Sequence, residues 1–322
     1  MATAPDLNTP RLIELKHVRS ADLSMMLNEE TATWRESLDW DFHSSANLVR
    51  RFVDMQSLSG YCLLIDGRAV GYAYFVVEDH KGLIGDLYVL KQFATVDNET
   101  RLLTSVLESL LKTHLVKRVE SQLMMLRTGA RMPLPQWRYL HMFQRNFMEA
   151  GLEGVERLPP GEALRWVTVD RWTESNHEEA SSLIANAYRG HVDSEINDQY
   201  RSTIGARKFL MNIVQFPGCG NFYQPASFVA IESRTGRLCG MCLSSLVAQE
   251  VGHITQICVS KSVRGKGVGY ELLRRSMQAL GRHGCRKVTL TVTAANADAI
   301  HLYEEVKFRK TRDFAAHVWD GF

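Results

Sequence analysis

Apolar positions recur along this chain with two periods, near two and near three and a half, and the alternation between them predicts an ordered series of strands and helices. Arg11–Leu15 reads as a short strand. Asp22–Thr33 and Asn47–Met55 read as helices, the second from Leu48, Phe52 and Met55 at helical spacing. Tyr61–Ile65 and Ala69–Val77 read as strands joined by an Asp66-Gly67 hairpin turn. Leu83–Leu90 is a further strand, Glu99–His114 a long helix and Val119–Leu126 a strand. Trp137–Asn146 reads as a helix, and Phe147 opens a last short strand.

The pattern stops at Leu158-Pro-Pro-Gly161, a turn or linker composition, and then starts again. Arg165–Val169 is a strand, followed by helices at His177–Tyr188 and Ala206–Val214. Phe228–Glu232 and Leu238–Val247 are strands joined at Thr235-Gly236. Next come a strand at Gly252–Val259, a helix to about Arg282, a strand at Lys287–Thr293, a helix at Asn296–Val306 and closing strands over Phe308–Val318. Asp86-Leu-Tyr-Val-Leu-Lys91 corresponds to Gln256-Ile-Cys-Val-Ser-Lys261, roughly 170 positions later. This is an internal duplication whose period is one domain. The expected division is 1–157, a linker over 158–164, and 165–322.

The 322 residues suffice for two domains of ordinary size. A net charge of +2 gives no preference for nucleic acid or membrane. No apolar run approaches the roughly 18 residues that span a bilayer, and the polar start of the chain is no secretory signal, so a cytoplasmic location is expected. Six cysteines are few for this length, and most lie in apolar runs as packed thiols. Cys239 and Cys242 have CxxC spacing without a second pair, and on a regular strand they point to opposite faces, so no metal site is expected.

The stretch after Val259 departs from this ordinary composition. A strand runs into Val263-Arg264-Gly265-Lys266-Gly267-Val268-Gly269, and a helix begins at once, with Leu272, Leu273, Met277 and Leu280 on one face. Glycine costs a helix about 1 kcal/mol relative to alanine, so bare backbone is needed at that point. An anion approaching unpaired N–H groups at a helix start is the usual reason, and Arg264 and Lys266 add positive charge. The spacing is not that of a Walker loop. The corresponding stretch of the first half, Ala94-Thr-Val-Asp-Asn-Glu99, has no glycine, and its carboxylates repel a polyphosphate. The chemistry is therefore expected in the second half alone.

On these residues, positions 165–322 resemble a GNAT-superfamily N-acetyltransferase domain. Arg264, Gly267 and Gly269 fit the family's Q/R-x-x-G-x-G/A loop. Asn296, Leu302, Tyr303 and Phe308 fit its second motif, which departs at Lys307, where the family usually has glycine. The first half resembles a degenerate copy. The resemblance implies an α/β (α+β) class: two tandem GNAT folds, each a mixed, mostly antiparallel twisted sheet flanked by helices. It implies acetyl-CoA, with the pyrophosphate on Arg264–Gly269 (Arg264, Gly265, Lys266, Gly267, Val268, Gly269) and pantetheine along Ile257, Cys258 and Val259. Basic Lys261, Arg274 and Arg275 stand near.

Tyr303 resembles the acid that protonates the leaving thiolate, and Asn296 is a cofactor contact, a helix cap or both. His253 and Glu250, at the start of the fourth strand, are the candidate bases. By alternation His253, Thr255 and Ile257 share a face. The acceptor, an amine of a small molecule or peptide, would meet Tyr188, Arg189, His191, Asp193 and Glu195 in one loop, and Phe216, Pro217, Cys219, Phe222 and Tyr223 in another. The degenerate half is expected to complete this pocket or to stand where a second subunit stands in dimeric relatives, which implies a monomer or weak homodimer. The expected activity is acetyl transfer to a primary amine by direct attack in a ternary complex. An acyl-CoA-binding sensor without turnover is the alternative.

Overall fold

The computed structural model describes residues 10–127, 131–215 and 220–322. The chain divides into two compact units. The first comprises residues up to Phe143 together with Phe314–Phe322, and the second Gln144–Asp313.

In the first unit the elements are β1 (Arg11–Glu14), α1 (Ser20–Leu38), α2 (His43–Asp54), β2 (Ser59–Ile65), β3 (Arg68–Glu78), β4 (Lys81–Val89), α3 (Val96–Lys112) and β5 (Arg118–Gln122). Trp34 lies inside α1, not in the loop beyond it. In the second unit they are β6 (Leu140–Gly151, entering from the first), β7 (Val167–Arg171), α4 (His177–Ala187), α5 (Asp193–Ile196), α6 (Thr203–Gln215), β8 (Asn221–Phe222), β9 (Phe228–Glu232), β10 (Leu238–Ala248), β11 (Val251–Val259), α7 (Val268–His283), β12 (Lys287–Thr293) and α8 (Ala297–Glu305). β13 (Arg309–Asp320) ends the chain.

The sheets follow one plan. The first runs β1-β2-β3-β4-β5-β13, the second β7-β9-β10-β11-β12-β6, with β8 beside β10. In each, one parallel pair interrupts antiparallel neighbours: β4 with β5, and β11 with β12. Both parallel pairs stop after four residues, at Ile84↔Ser121 and Ile254↔Leu290. A bulge follows in each, leaving Gly85 and Thr255 as the extra residues opposite β3 and β10. The packing repeats as well. A Cβ on Gly82 would strike the Leu110 side chain at 2.6 Å, and one on Gly252 would strike that of Leu280 at 2.6 Å. These contacts seat α3 and α7 on their sheets by the same pair of positions, and they bear out the duplication.

Two expectations fail in instructive ways. Trp137–Asn146 is not a helix: only a 3-10 turn at Trp137–Tyr139 precedes the twelve-residue strand β6. The closing strands are exchanged. Arg145–Gly151 pairs with β12 in the second unit, and Ala316–Asp320 pairs with β5 in the first. The division of the chain thus falls at Phe143/Gln144, and the 158–164 segment lies inside the second unit. Residues 165–322 expressed alone should lack the edge that covers β12 and give no cooperative thermal transition, and restoring 144–164 should bring it back. A sharp transition for 165–322 alone would contradict this exchange.

The first unit also buries an acid pair. Glu30 is fully buried and accepts from the Tyr72 hydroxyl at 2.7 Å, and Tyr72 also reaches Asp86 at 3.4 Å. Burial, then the Asp86 charge, holds the Glu30 carboxyl well above its ordinary range. Native Glu30 therefore keeps a proton that the unfolded chain loses above about pH 4.3. Stability must fall as pH rises from there through the raised native value, by up to about 1.4 kcal/mol per pH unit. Glu30→Gln should flatten that fall in denaturant titrations between pH 5 and 8, and an unchanged slope would reject the pairing.

Candidate active site

The glycine-rich loop sits where the second sheet opens. β11 and β12 separate beyond Ile254, so the β12-facing edge of β11 from Thr255 onward has no β12 partner. Ser260 donates its N–H to Cys239 O on β10 at 2.8 Å. By alternation, the N–H and C=O groups of Val259 and Ile257 point away from β10 into the opening. Two side chains find those carbonyls: the Tyr188 hydroxyl donates to Ile257 O at 3.3 Å, and Arg264 Nε to Val259 O at 3.4 Å.

The bulge at Thr255 resets the alternation. Ile254, Ile257 and Val259 face the α7 side, while Cys258 faces α4 and α6. His253 and Ile257 therefore do not share a face. A register shift between Leu238 and Gly240 does the same for the cysteines, and Cys239 and Cys242 both pack in the α7-side core. Both thiols are buried, as are Cys62, Cys258 and Cys285.

The start of α7 is open. Gly265 and Gly267 hold φ of 71° and 77°, the left-handed region that side chains rarely adopt. Among the described residues no side chain caps α7 at Gly267. A Cβ at Gly265 would meet nothing within 4 Å, so its glycine serves conformation and not packing. Gly269 serves packing, because a Cβ there would come within 3.1 Å of the Leu302 side chain on α8. The matching end of α3 is closed: the Thr95 hydroxyl accepts from the Asn98 N–H, Glu99 is buried, and Asp97 pairs with Arg131.

A cavity of about 890 Å³ runs from this loop along the opening. Its walls bring together Ile257, Cys258, Val259, Arg264, Gly265, Gly267, Val268, Gly269, Asn296 and Tyr303. Asn296 caps α8, its side chain accepting from the Ala299 N–H at 3.4 Å, so the cap reading holds and the residue also lines the cavity. Tyr303 is buried, and burial raises its phenol above the ordinary range, so it stays protonated at neutral pH. Lys307 takes a φ of 71° where the family has glycine, and the Phe308 N–H still reaches Tyr303 O at 2.9 Å to close α8.

The remaining predicted residues are elsewhere. Lys266 lies over the Trp166 ring, 5.8 Å from its centroid. His253 is buried against Thr289 Oγ1 at 2.9 Å, and burial drives its pKa down to about 3. Glu250 pairs with Arg286 on the surface. Neither base candidate lines the cavity. Tyr188 and His191 of the first acceptor loop do, whereas Tyr223 of the second turns to His283, hydroxyl to Nδ1 at 2.9 Å. Phe216, Pro217 and Cys219 lie outside the described residues.

Arg274 and Arg275 are structural. Glu271, fully buried, takes two hydrogen bonds from Arg274 at 2.8 and 2.7 Å and one from Arg275 at 2.7 Å. It also accepts from Gly161 N at 2.8 Å. Burial alone would raise the Glu271 carboxyl, but these donors outweigh it and hold it below its usual range.

Comparison with known proteins follows this geometry. Residues 196–308 match the Acetyltransferase (GNAT) family. That match lies inside the second unit. This chain is 34% identical over 70 residues to N-alpha-acetyltransferase MAK3 of Arabidopsis thaliana, covering 22% of this chain and 37% of that protein. The chain thus spans little more than a third of that curated relative. Two solved structures share the fold over nearly their whole lengths. A GCN5-related N-acetyltransferase from Sphaerobacter thermophilus matches at a TM-score of 0.64 and 19% identity, covering 98% of this chain and 96% of its own. A tandem GNAT protein from the clavulanic acid biosynthesis pathway matches at 0.58 and 14%, covering 98% and 99%. The tandem arrangement and mixed, mostly antiparallel sheets expected from the sequence are borne out. The family is one of acyltransferases.

Glu271→Ala should leave the buried Arg274 and the half-buried Arg275 without their carboxylate beneath the first turn of α7, and cost about 3–5 kcal/mol. Denaturant unfolding followed by circular dichroism checks this, and a loss under 1 kcal/mol would show that the network does not hold the helix.

Proposed function

We propose that this chain is an acetyl-CoA-dependent N-acetyltransferase acting on a primary amine of a small molecule or peptide. The observation that carries this reading is the meeting, in one cavity, of an uncapped helix start on left-handed glycines, a strand edge without its parallel partner, and a protonated tyrosine. The donor set suits a pyrophosphate and a pantetheine amide. Backbone N–H groups at Gly265–Gly269 take the phosphates, favoured by the helix dipole by about 0.3–1 kcal/mol or more. Ile257 and Val259 offer backbone groups to an extended chain in the manner of strand addition. Acetyl-CoA, when bound, supplies the activated acyl carbon.

The Val259 N–H faces the opening, and it donates to the thioester oxygen as charge develops there. Tyr303 gives its phenolic proton to the departing sulfur, a role its raised pKa permits. The first unit, whose α3 start is capped by Thr95 and carries Asp97 and Glu99 in its first turn, acts as a copy without this chemistry. The similarity to a protein named an N-alpha-acetyltransferase supports trying peptide N-termini as acceptors.

Gly267→Glu should abolish saturable acetyl-CoA binding in calorimetry while leaving the thermal transition cooperative. Tyr303→Phe should keep binding and lower thiol release by about 10²-fold. Wild-type protein that binds no acetyl-CoA, or binds it and releases no thiol with any amine, would contradict the proposal.

A further inference from the structure

The two bases suggested by the sequence are out of reach of the cavity, so the proton of the incoming amine needs another acceptor. His191 lines the cavity between α4 and α5, its ring set edge-on to Tyr188 with centroids 5.3 Å apart. Its Nδ1 accepts the Asp193 N–H at 3.1 Å and lies 3.8 Å from Asp193 Oδ2. The other oxygen of that carboxylate is clamped. Asp193 Oδ1 accepts from the Thr293 hydroxyl, and from Arg145 NH1 at 3.4 Å. Arg145 is itself fixed along β12, donating to Thr293 Oγ1 at 2.9 Å and Thr291 Oγ1 at 3.1 Å.

All of these groups belong to the second unit. Arg145, His191 and Asp193 lie outside the 196–308 segment that matches the family. Arg145 is carried by β6, the strand exchanged into this sheet.

We propose that His191 is the proton acceptor for the attacking amine, that Asp193 orients its ring, and that Arg145 and Thr293 are positioning residues that hold Asp193. This rests on the acetyltransferase reading. With Nδ1 accepting a backbone N–H, the neutral ring carries its proton on Nε2. The proposed role requires the other tautomer, reached by a ring shift of about 1 Å that gives up the Asp193 N–H and lets Nδ1–H donate to Asp193 Oδ2. In that tautomer Nε2 offers its lone pair to the cavity, the arrangement by which a carboxylate orients an imidazole base.

The balance is simple. The ammonium gives one proton to Nε2. The nitrogen pair forms the C–N bond, the C–S bond breaks, and its electrons leave on sulfur. Tyr303 protonates the sulfur and regains the second nitrogen proton through solvent, and His191 returns its proton to solvent. Burial favours the neutral ring, against the pull of Asp193. Burial first, then Arg264 and Lys261, lower the His191 pKa, while Asp193 raises it. Tyr188, Tyr200, Cys258 and Tyr303, which lie on the neighbouring elements, are kept protonated by burial.

The test uses the full chain with acetyl-CoA and a panel of benzylamine, glucosamine, spermidine and an unblocked Ser-Gly-Arg peptide. Thiol release is followed from pH 5 to 9. His191→Gln should lower kcat/KM about 10²-fold with acetyl-CoA binding unchanged in calorimetry, and should remove the acid limb of the profile. Asp193→Asn should lower the rate and move that limb to lower pH, and Arg145→Gln should move it to higher pH, with Arg145→Lys restoring it. A merely structural role would move the rate or the melting temperature and leave the limb in place. Release within threefold of wild type in His191→Gln, or an unmoved limb in both Asp193→Asn and Arg145→Gln, would overturn the role of His191 alone. Acetyl-CoA bound without thiol release by the wild-type chain would overturn the acetyltransferase reading and this role with it.

Discussion

The separation of β11 from β12 after Ile254 is the constraint on which the site depends. Four residues of parallel pairing hold the strands together at one end. The bulge at Thr255 then adds twist, as bulges do, and turns Ile257 and Val259 toward α7. The result is a strand edge whose polar groups must find partners other than β12, because buried backbone groups are costly to leave unpaired. In the protein by itself Tyr188 and Arg264 take two of the carbonyls. The N–H groups of the same residues are what an extended ligand would use. The helix that follows begins without a side-chain cap, so the opening in the sheet and the opening at the helix start lie in one cavity.

The first unit has this strand geometry without the glycine-rich loop. It repeats the four-residue parallel pair, the bulge and the glycine–leucine seat of the helix. Yet Thr95 caps the start of α3 by accepting from the Asn98 N–H, and Asp97 and Glu99 place carboxylates in its first turn. A helix start with its own cap and two acidic residues has a less favourable potential for a polyphosphate. The left-handed Gly265 and Gly267 of the second unit have no glycine counterpart in Ala94–Glu99 of the first.

Much of this was legible in the sequence. Strand and helix periods located most elements. The Asp66-Gly67 and Thr235-Gly236 hairpins were marked by their turn residues, and the loop and Tyr303 were marked by motif. What was not legible shares a cause: long-range pairing. Trp137–Asn146 carries apolar residues at spacings that suit a helix, but from Leu140 it is part of strand β6, whose Arg145 and Asn146 pair with Thr293 and Val292 of β12, a partner no local pattern reveals. The exchange of β6 and β13 hid Arg145 from the site for the same reason. The bulges at Thr255 and near Cys239 each insert one residue, and one residue is enough to reverse every face read by alternation. That is why His253 looked like a cavity residue and is instead a buried one.

The central claim is that one helix start of the two is open to a polyphosphate. Amide hydrogen exchange on the full chain, with and without coenzyme A, reads both at once. The account predicts slower exchange at Gly265–Val268 and at Ile257 and Val259 when coenzyme A is present, with no change at Val96–Glu99. Protection at Val96–Glu99, or none at Gly265–Val268 under saturating coenzyme A, would contradict it.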